Sequence, residues 1–126
     1  MENGKQLSKK SAEEKAARAH AWLLEHKASD VTVLSVKNAV TDIEMVVTAG
    51  SARHGKSLAD GLLELCHDEG FEFFGMEGYD TGEWILVDMN DVVVHIFQET
   101  SRQLYRLENL WREAEPLLLE SRGARE

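Results

Sequence analysis

From Ala12 the apolar positions of this chain recur at helical intervals through Ala16, Ala19, Trp22 and Leu23, and Ser11-x-x-Glu14 stands ahead of them with capping-box spacing. A first helix is expected from Ser11 to about His26. The period then changes from 3.6 to 2. Val31 to Val36 alternates as a strand, Asn38 to Asp42 turns, and Met45 to Thr48 reads as a second, more buried strand beside the first. Ala49-Gly50-Ser51 closes that strand. Leu58, Leu62, Leu65 and Cys66 then return to helical spacing until Gly70, which stops the helix.

In the second half, Phe71, Phe73 and Phe74 predict a third strand, followed by a loop carrying Gly75, Gly78 and Gly82. Trp84 to Asp88 and Asp91 to Phe97 predict a hairpin joined by Met89-Asn90, with Asn90 able to take the positive φ that so short a turn needs. Thr100-x-x-Gln103 caps a last helix with Leu104, Leu107, Leu110, Trp111 and Ala114 on its apolar side. Pro116 ends or kinks it, and the charged end from Glu120 to Glu126 should fray. Helices and strands interleave without an internal repeat, which predicts an α/β sandwich around a mixed sheet of about five strands. The expected domain runs over 11–115, with 1–10 a flexible N-terminal segment and 116–126 a charged C-terminal extension.

A turn on Met89-Asn90 would set Asp88 opposite Asp91, Val87 opposite Val92, Leu86 opposite Val93 and Trp84 opposite His95. Period two then places Ile85, Val87, Val92 and Val94 on one face, and Trp84, Leu86, Asp88, Asp91, Val93 and His95 on the other. The first face suits a core. An aromatic and aliphatic patch rimmed by acids, on the second, has the composition of a hot spot for a basic partner. Opposed carboxylates ~5 Å apart repel by roughly 3 kcal/mol at an effective dielectric of ~20, so that pair would want a cation. Plainer roles stand beside these: Trp84 covered by a helix of its own chain, His95 bonded to a neighbouring carbonyl in a core, Asp91 capping the turn.

Charge sharpens the reading. Between Lys56 and Arg102 lie 45 consecutive residues with no lysine or arginine and eleven acids, from Asp60 to Glu99. With a net charge of −9 and a pI near 5.0, the chain lacks the cationic footprint that nonspecific nucleic-acid or anionic-membrane binding requires. A basic protein or a cation fits better. The lone Cys66 excludes an intramolecular disulfide, Met1 to Lys10 has no apolar signal core, and no run approaches the ~20 apolar residues of a membrane span. A cytoplasmic location is expected, although an organellar protein without its leader would look the same.

Candidate chemistry is sparse. Asp88, Asp91 and His95 offer metal-ligand atoms, yet His95 would lie ~14 Å along the strand from Asp91, so the three cannot share one ion. Gly50-Ser51 at a strand-to-helix junction, with Arg53 and His54 beside it, resembles a phosphate-cradling turn, against the ordinary alternative that Ser51 caps the helix. There is no P-loop, Gly-x-Ser-x-Gly elbow, HExxH or CxxC. No catalytic residue, metal or cofactor is expected.

The runs Thr48-Ala49-Gly50-Ser51-Ala52-Arg53-His54, Trp84-Ile85-Leu86-Val87-Asp88, Asp91-Val92-Val93-Val94-His95 and Tyr105-Arg106-Leu107-Glu108-Asn109-Leu110-Trp111 together resemble the ribosomal silencing factor family, also called Iojap-like. Thr41-Asp42, Ala59-Asp60 and Glu77-Gly78 fit it too, without gaps from about Asp30 to Trp111. Two places depart from the family pattern: Ala49 stands where it has glycine, and Asn90-Asp91 where its hairpin has Gly-Asp. The resemblance implies a nucleotidyltransferase-like fold without transferase activity. It further implies binding to ribosomal protein L-fourteen on the intersubunit face of the large ribosomal subunit, so that the small subunit cannot join and translation is repressed in starvation. Organellar members act in large-subunit assembly. The family's contact surface, carried over by position, puts forward Trp84, Asp88, His95, Tyr105 and Leu110, to which the facial pattern adds Leu86 and Asp91. The expectation is a noncatalytic anti-association factor, monomer or homodimer, with no membrane and no direct nucleic-acid contact. Its rivals are a nucleotide-binding or nucleotidyltransferase-like enzyme using Ser51 and the carboxylates, and a large-subunit assembly adaptor.

Overall fold

Lys5, Gln6, Leu7, Lys9 and Lys10 are good helix formers with no glycine or proline among them, and the first helix continues back through them. In the computed structural model, which describes residues 4–35, 43–100 and 115–116, α1 spans Gly4–Glu25. Ser11 therefore lies inside the helix rather than capping it. Ala12, Ala16, Ala19 and Leu23 form its fully buried stripe, the alanines allowing close approach and Leu23 contributing about 1.5–3 kcal/mol by burial. Beyond Glu25, Lys27 takes the left-handed conformation (φ 71°) and the Ala28 amide bonds back to the Leu23 carbonyl at 3.0 Å.

β1 (Ser29–Ser35) and β2 (Ile43–Ala49) pair antiparallel, as their patterns predict; the expected turn at 38–42 lies outside the described residues. α2 (Ala52–Glu69) follows, and both its ends were legible. Ser51 Oγ accepts from the His54 amide at 3.0 Å, and Gly70 (φ 74°) closes the far end by donating its amide to the Cys66 carbonyl. Leu58, Leu62, Leu65 and Cys66 are buried, and burial raises the Cys66 thiol pKa, an effect the Lys15 charge partly offsets.

Trp22 on α1 lies directly over Gly61 of α2, where a Cβ would collide with the indole ring. Alanine in a helix interior ordinarily stabilises relative to glycine by about 0.5–1 kcal/mol. Here the sign should invert: Gly61→Ala is expected to lower stability by about 1–3 kcal/mol, because Trp22 must leave its seat between the helices and its stack on His26 at 3.9 Å. A lowered urea midpoint would show it; an unchanged or raised midpoint would mean that the ring moves freely aside.

The third strand is not where the phenylalanines predicted it. Phe71 and Phe73 pack against the core from an irregular segment, Phe74 stays 64% exposed, and β3 is the short Gly75–Glu77, registered on the next strand by Gly75↔Asp88. Side-chain burial, not strand formation, accounts for two of those three aromatics. β4 (Trp84–Asp88) and β5 (Val92–Gln98) form the expected hairpin, and β6 (Glu115–Pro116) is a two-residue strand on β1, where the sequence predicted the end of a helix. The order is β3-β4-β5-β2-β1-β6, with β2 and β5 parallel in the middle, a mixed sheet of α/β type. Both helices contribute to one continuous core with Met45, Val47, Ile85, Val87, Val94 and Ile96, so they share one side of the sheet. The last predicted helix, with Leu104, Leu107 and Trp111, lies outside the described residues.

The hairpin register corrects the sequence reading. Asp88 pairs with Val93, Leu86 with His95 and Trp84 with Phe97, so Asp88 and Asp91 do not face each other. The turn falls one residue later than expected, on Asn90-Asp91: the Met89 amide donates to the Val92 carbonyl at 2.8 Å across it, Asn90 sits at φ 77°, and its amide is held by Asp88 Oδ1 at 2.9 Å. Met89 is fully buried where it flanks the turn, and Asp91 turns inward from within it.

Candidate docking surface

The parity of the strands survives that change of register, because a shift of two residues returns each side chain to its own face. On the face away from α1 and α2, three rows of side chains line up across three strands. Glu44, Val93 and Asp88 form one row; Val46, His95 and Leu86 the next; Thr48, Phe97 and Trp84 the third. Exposure is graded across this grid. Its β2 and β5 members are buried, Val46 and Phe97 completely, whereas Trp84, Leu86 and Asp88 on β4 are half-buried. The open patch expected from the sequence is thus reduced to the β4 column, which Glu77 of β3 borders by pairing beside Leu86.

Trp84 stacks on Phe97 with ring centroids 5.0 Å apart, and its indole Nε1–H donates to His95 Nδ1 at 3.1 Å. On its other side, His95 Nε2 lies 2.8 Å from Glu44 Oε1. Among the described residues the two ring nitrogens of His95 therefore meet side chains, Trp84 on one side and Glu44 on the other. Gly78 holds the approach to Trp84: at φ 79° it packs so closely on the Trp84 carbonyl that a Cβ there would strike it. The loop ahead of β4 is tied to α2 by Tyr79, whose hydroxyl donates to Asp60 Oδ2 at 3.0 Å; that bond, with the acids around it, raises the phenol above its ordinary pKa.

Asp91 has a different role from the one expected. Its carboxylate is buried and receives Lys15 Nζ at 2.7 Å, and the same ammonium donates to the Met89 carbonyl at 2.8 Å. The cation expected from a partner is supplied from α1 within the chain. Asp88 remains on the half-open column, while Tyr105 and Leu110 lie outside the described residues. Two buried charged side chains escaped the sequence reading. Glu44 is the sole charged residue of Ile43–Ala49, and Lys15 sits among the apolar-spaced positions of α1; a lone charge inside an apolar period was the signal available in both.

The Gly50-Ser51 turn is satisfied from within. The Gly50 amide donates to His54 Nδ1 at 2.9 Å, the His54 amide to Ser51 Oγ, and the Gly55 amide to the Ser51 carbonyl at 2.9 Å. Because His54 Nδ1 accepts, its Nε2 carries the proton and donates to the His26 carbonyl at 2.9 Å, joining the turn to the end of α1. Ser51 thus fills the ordinary capping role. Ala49 ends β2 without a positive φ, and Asn90 takes the positive φ of the hairpin, so both departures from the family pattern are accommodated. Among the described residues no three His, Cys, Asp or Glu side chains gather as a metal site, and no helix is long and apolar enough to cross a membrane.

Comparison with known proteins adds an independent line. The family model described as "Ribosomal silencing factor during starvation" matches residues 9–126. A Haemophilus influenzae protein named ribosomal silencing factor is 40% identical over 87 residues, covering 68% of this chain and 85% of that relative. A mouse protein named "Mitochondrial assembly of ribosomal large subunit protein 1" is 27% identical over 96 residues, covering 71% of this chain and 41% of its own length. A crystal structure of a Chromobacterium violaceum protein superposes with a TM-score of 0.75 at 33% identity, over 78% of this chain and 83% of that one.

Proposed function

This chain belongs to the ribosomal silencing factor family, and from that membership we propose that it binds ribosomal protein L-fourteen on the large subunit and keeps the small subunit from joining. Such a block requires occupancy of a surface and no chemistry, and it takes place in the cytoplasm. The observation that most supports it is the half-buried Trp84–Leu86–Asp88 column, bordered by Glu77 and set in a stretch devoid of lysine and arginine. Ribosomal proteins are strongly basic, so opposite fields draw the two together while the aromatic and aliphatic members supply the dry contact. The family resemblance puts Tyr105 and Leu110 forward as further partner contacts; His95 serves the β4 column from beneath, and Asp91 braces the turn beside it.

The direct test is sedimentation. Adding the protein to separated subunits before joining should shift sucrose-gradient profiles from joined ribosomes toward free subunits, and profiles that do not shift would refute the block. Charge reversal by Asp88→Lys should slow association with large subunits roughly tenfold at low salt, the difference shrinking as salt screens it. Stopped-flow rates at two ionic strengths would check this, and equal rates at both would remove Asp88 from the encounter surface.

The name of the mouse relative favours a second reading, a role in assembling the large subunit. Cells depleted of the protein would then accumulate incomplete large subunits during growth. Pure anti-association predicts normal assembly and a defect only when translation must be repressed.

A further inference from the structure

The Trp84–His95–Glu44 relay has a direction that its chemistry determines. An indole Nε1–H can only donate, so His95 Nδ1, 3.1 Å away, must offer a lone pair to it. The proton of the neutral ring then sits on Nε2, facing Glu44 Oε1 at 2.8 Å. The opposite tautomer would set N–H against N–H on one side and a lone pair against a carboxylate on the other. His95 and Glu44 are both buried, at 5% and 9% exposure, so water cannot readily repair such a mismatch.

Among the described residues, a ring stack and a hydrogen bond restrain the half-buried indole. The stack on Phe97 sets the plane of the ring, with an interplanar angle of 29°, and the bond to His95 sets its rotation within that plane. Together they decide which edge of Trp84 faces outward. Glu44 stands two strands away on β2, yet it governs the second restraint by holding the imidazole in the accepting form. The same arrangement argues against a catalytic dyad, since the place where a hydroxyl or thiol nucleophile would meet the imidazole is occupied by the indole N–H.

We propose that Glu44 is a positioning residue, which acts through the His95 tautomer to present Trp84 to the basic partner in one orientation. The proposal rests on Trp84 being the docking anchor. A side chain ordered in advance forfeits less freedom on binding, so loss of the relay should weaken affinity by about three- to tenfold without removing any contact atom of the surface.

The test uses the full chain, nitrogen-detected NMR and equilibrium binding to purified large subunits. In the unmutated protein the His95 ring shifts should report a proton on Nε2; a proton on Nδ1 overturns the proposal before any variant is made. Glu44→Gln retains a carbonyl acceptor and should keep both the Trp84 indole resonance and the affinity. Glu44→Leu should move that resonance and weaken binding three- to tenfold; an unmoved resonance overturns the relay. A moved resonance with unchanged affinity, in a preparation where Trp84→Ala does weaken binding, overturns the positioning role alone. If Trp84→Ala leaves binding unchanged, the docking reading fails and takes the proposal with it.

Discussion

Replacing Lys15 with methionine is expected to destabilise the fold by about 3–5 kcal/mol, the range for breaking a buried ion pair from one side. The side chains of Lys15 and Asp91 are only 4% and 8% exposed, so the abandoned carboxylate would find little water, and the Met89 carbonyl would lose its donor as well. Against a total stability of about 5–15 kcal/mol for an ordinary domain, that is a large fraction. Methionine keeps the helix propensity and the aliphatic stem, so the loss would report on the charge and its hydrogen bonds. Adding Asp91→Asn should recover much of it by removing the buried charge, with a residue left over for the unpaired carbonyl. Urea unfolding of the wild type, both single variants and the double variant would give the coupling. A loss below about 1 kcal/mol for Lys15→Met would show that the packing of Met89, and not the ion pair, holds the turn.

Trp84→Ala is expected to weaken binding to the large subunit by about 2 kcal/mol or more, roughly 30-fold in Kd, if the indole is a hot-spot anchor. The ring would be lost from both its stack on Phe97 and its bond to His95, so the fold must be checked by circular dichroism and a thermal melt. Trp84→Phe provides a second arm. It keeps an aromatic over Phe97 and deletes the indole donor, so its affinity should fall between those of the wild type and the alanine variant. Unchanged affinity for a folded Trp84→Ala would place the contact elsewhere on the molecule.

Both predictions concern residues that stand differently with respect to the sequence. Trp84 was legible because the period of two along Trp84–Asp88 separates Ile85 and Val87 from Trp84, Leu86 and Asp88. That separation withstood a wrong register, since strand parity depends only on odd and even positions. The proposed Asp88–Asp91 pair did not withstand it, because opposition across a hairpin depends on which residues occupy the turn. The turn falls on Asn90-Asp91, with Met89 and Asp91 buried, and Asp91 has its partner on a helix 76 residues earlier in the chain. Lys15 was hidden for the same reason: its spacing marks it as facing inward, while the acid that makes this tolerable comes from the other half of the molecule.

The graded exposure of the docking grid belongs to the same class of fact. Composition places acids, an indole and aliphatics on one face, but which column remains half-open follows from the strand order, with β2 and β5 central and β4 near the edge behind the three-residue β3. Phe71, Phe73 and Phe74 show the converse error. Strand-forming residue types predicted a strand, and two of the three were spent on burial instead.

The order of helices and strands through β5, both caps of α2, the two faces of the β4–β5 hairpin and the acidic, lysine-free character of its surroundings could be read from the chain alone, because each depends on residues within a few positions of one another. Strand order, the register of that hairpin, the Lys15–Asp91 clasp and the Glu44–His95–Trp84 relay were decided only in the folded molecule, because each joins side chains whose meeting depends on how separate elements pack. Local period and propensity act along the backbone. The pairing of buried charges and the exposure of one column of a sheet are properties of three dimensions.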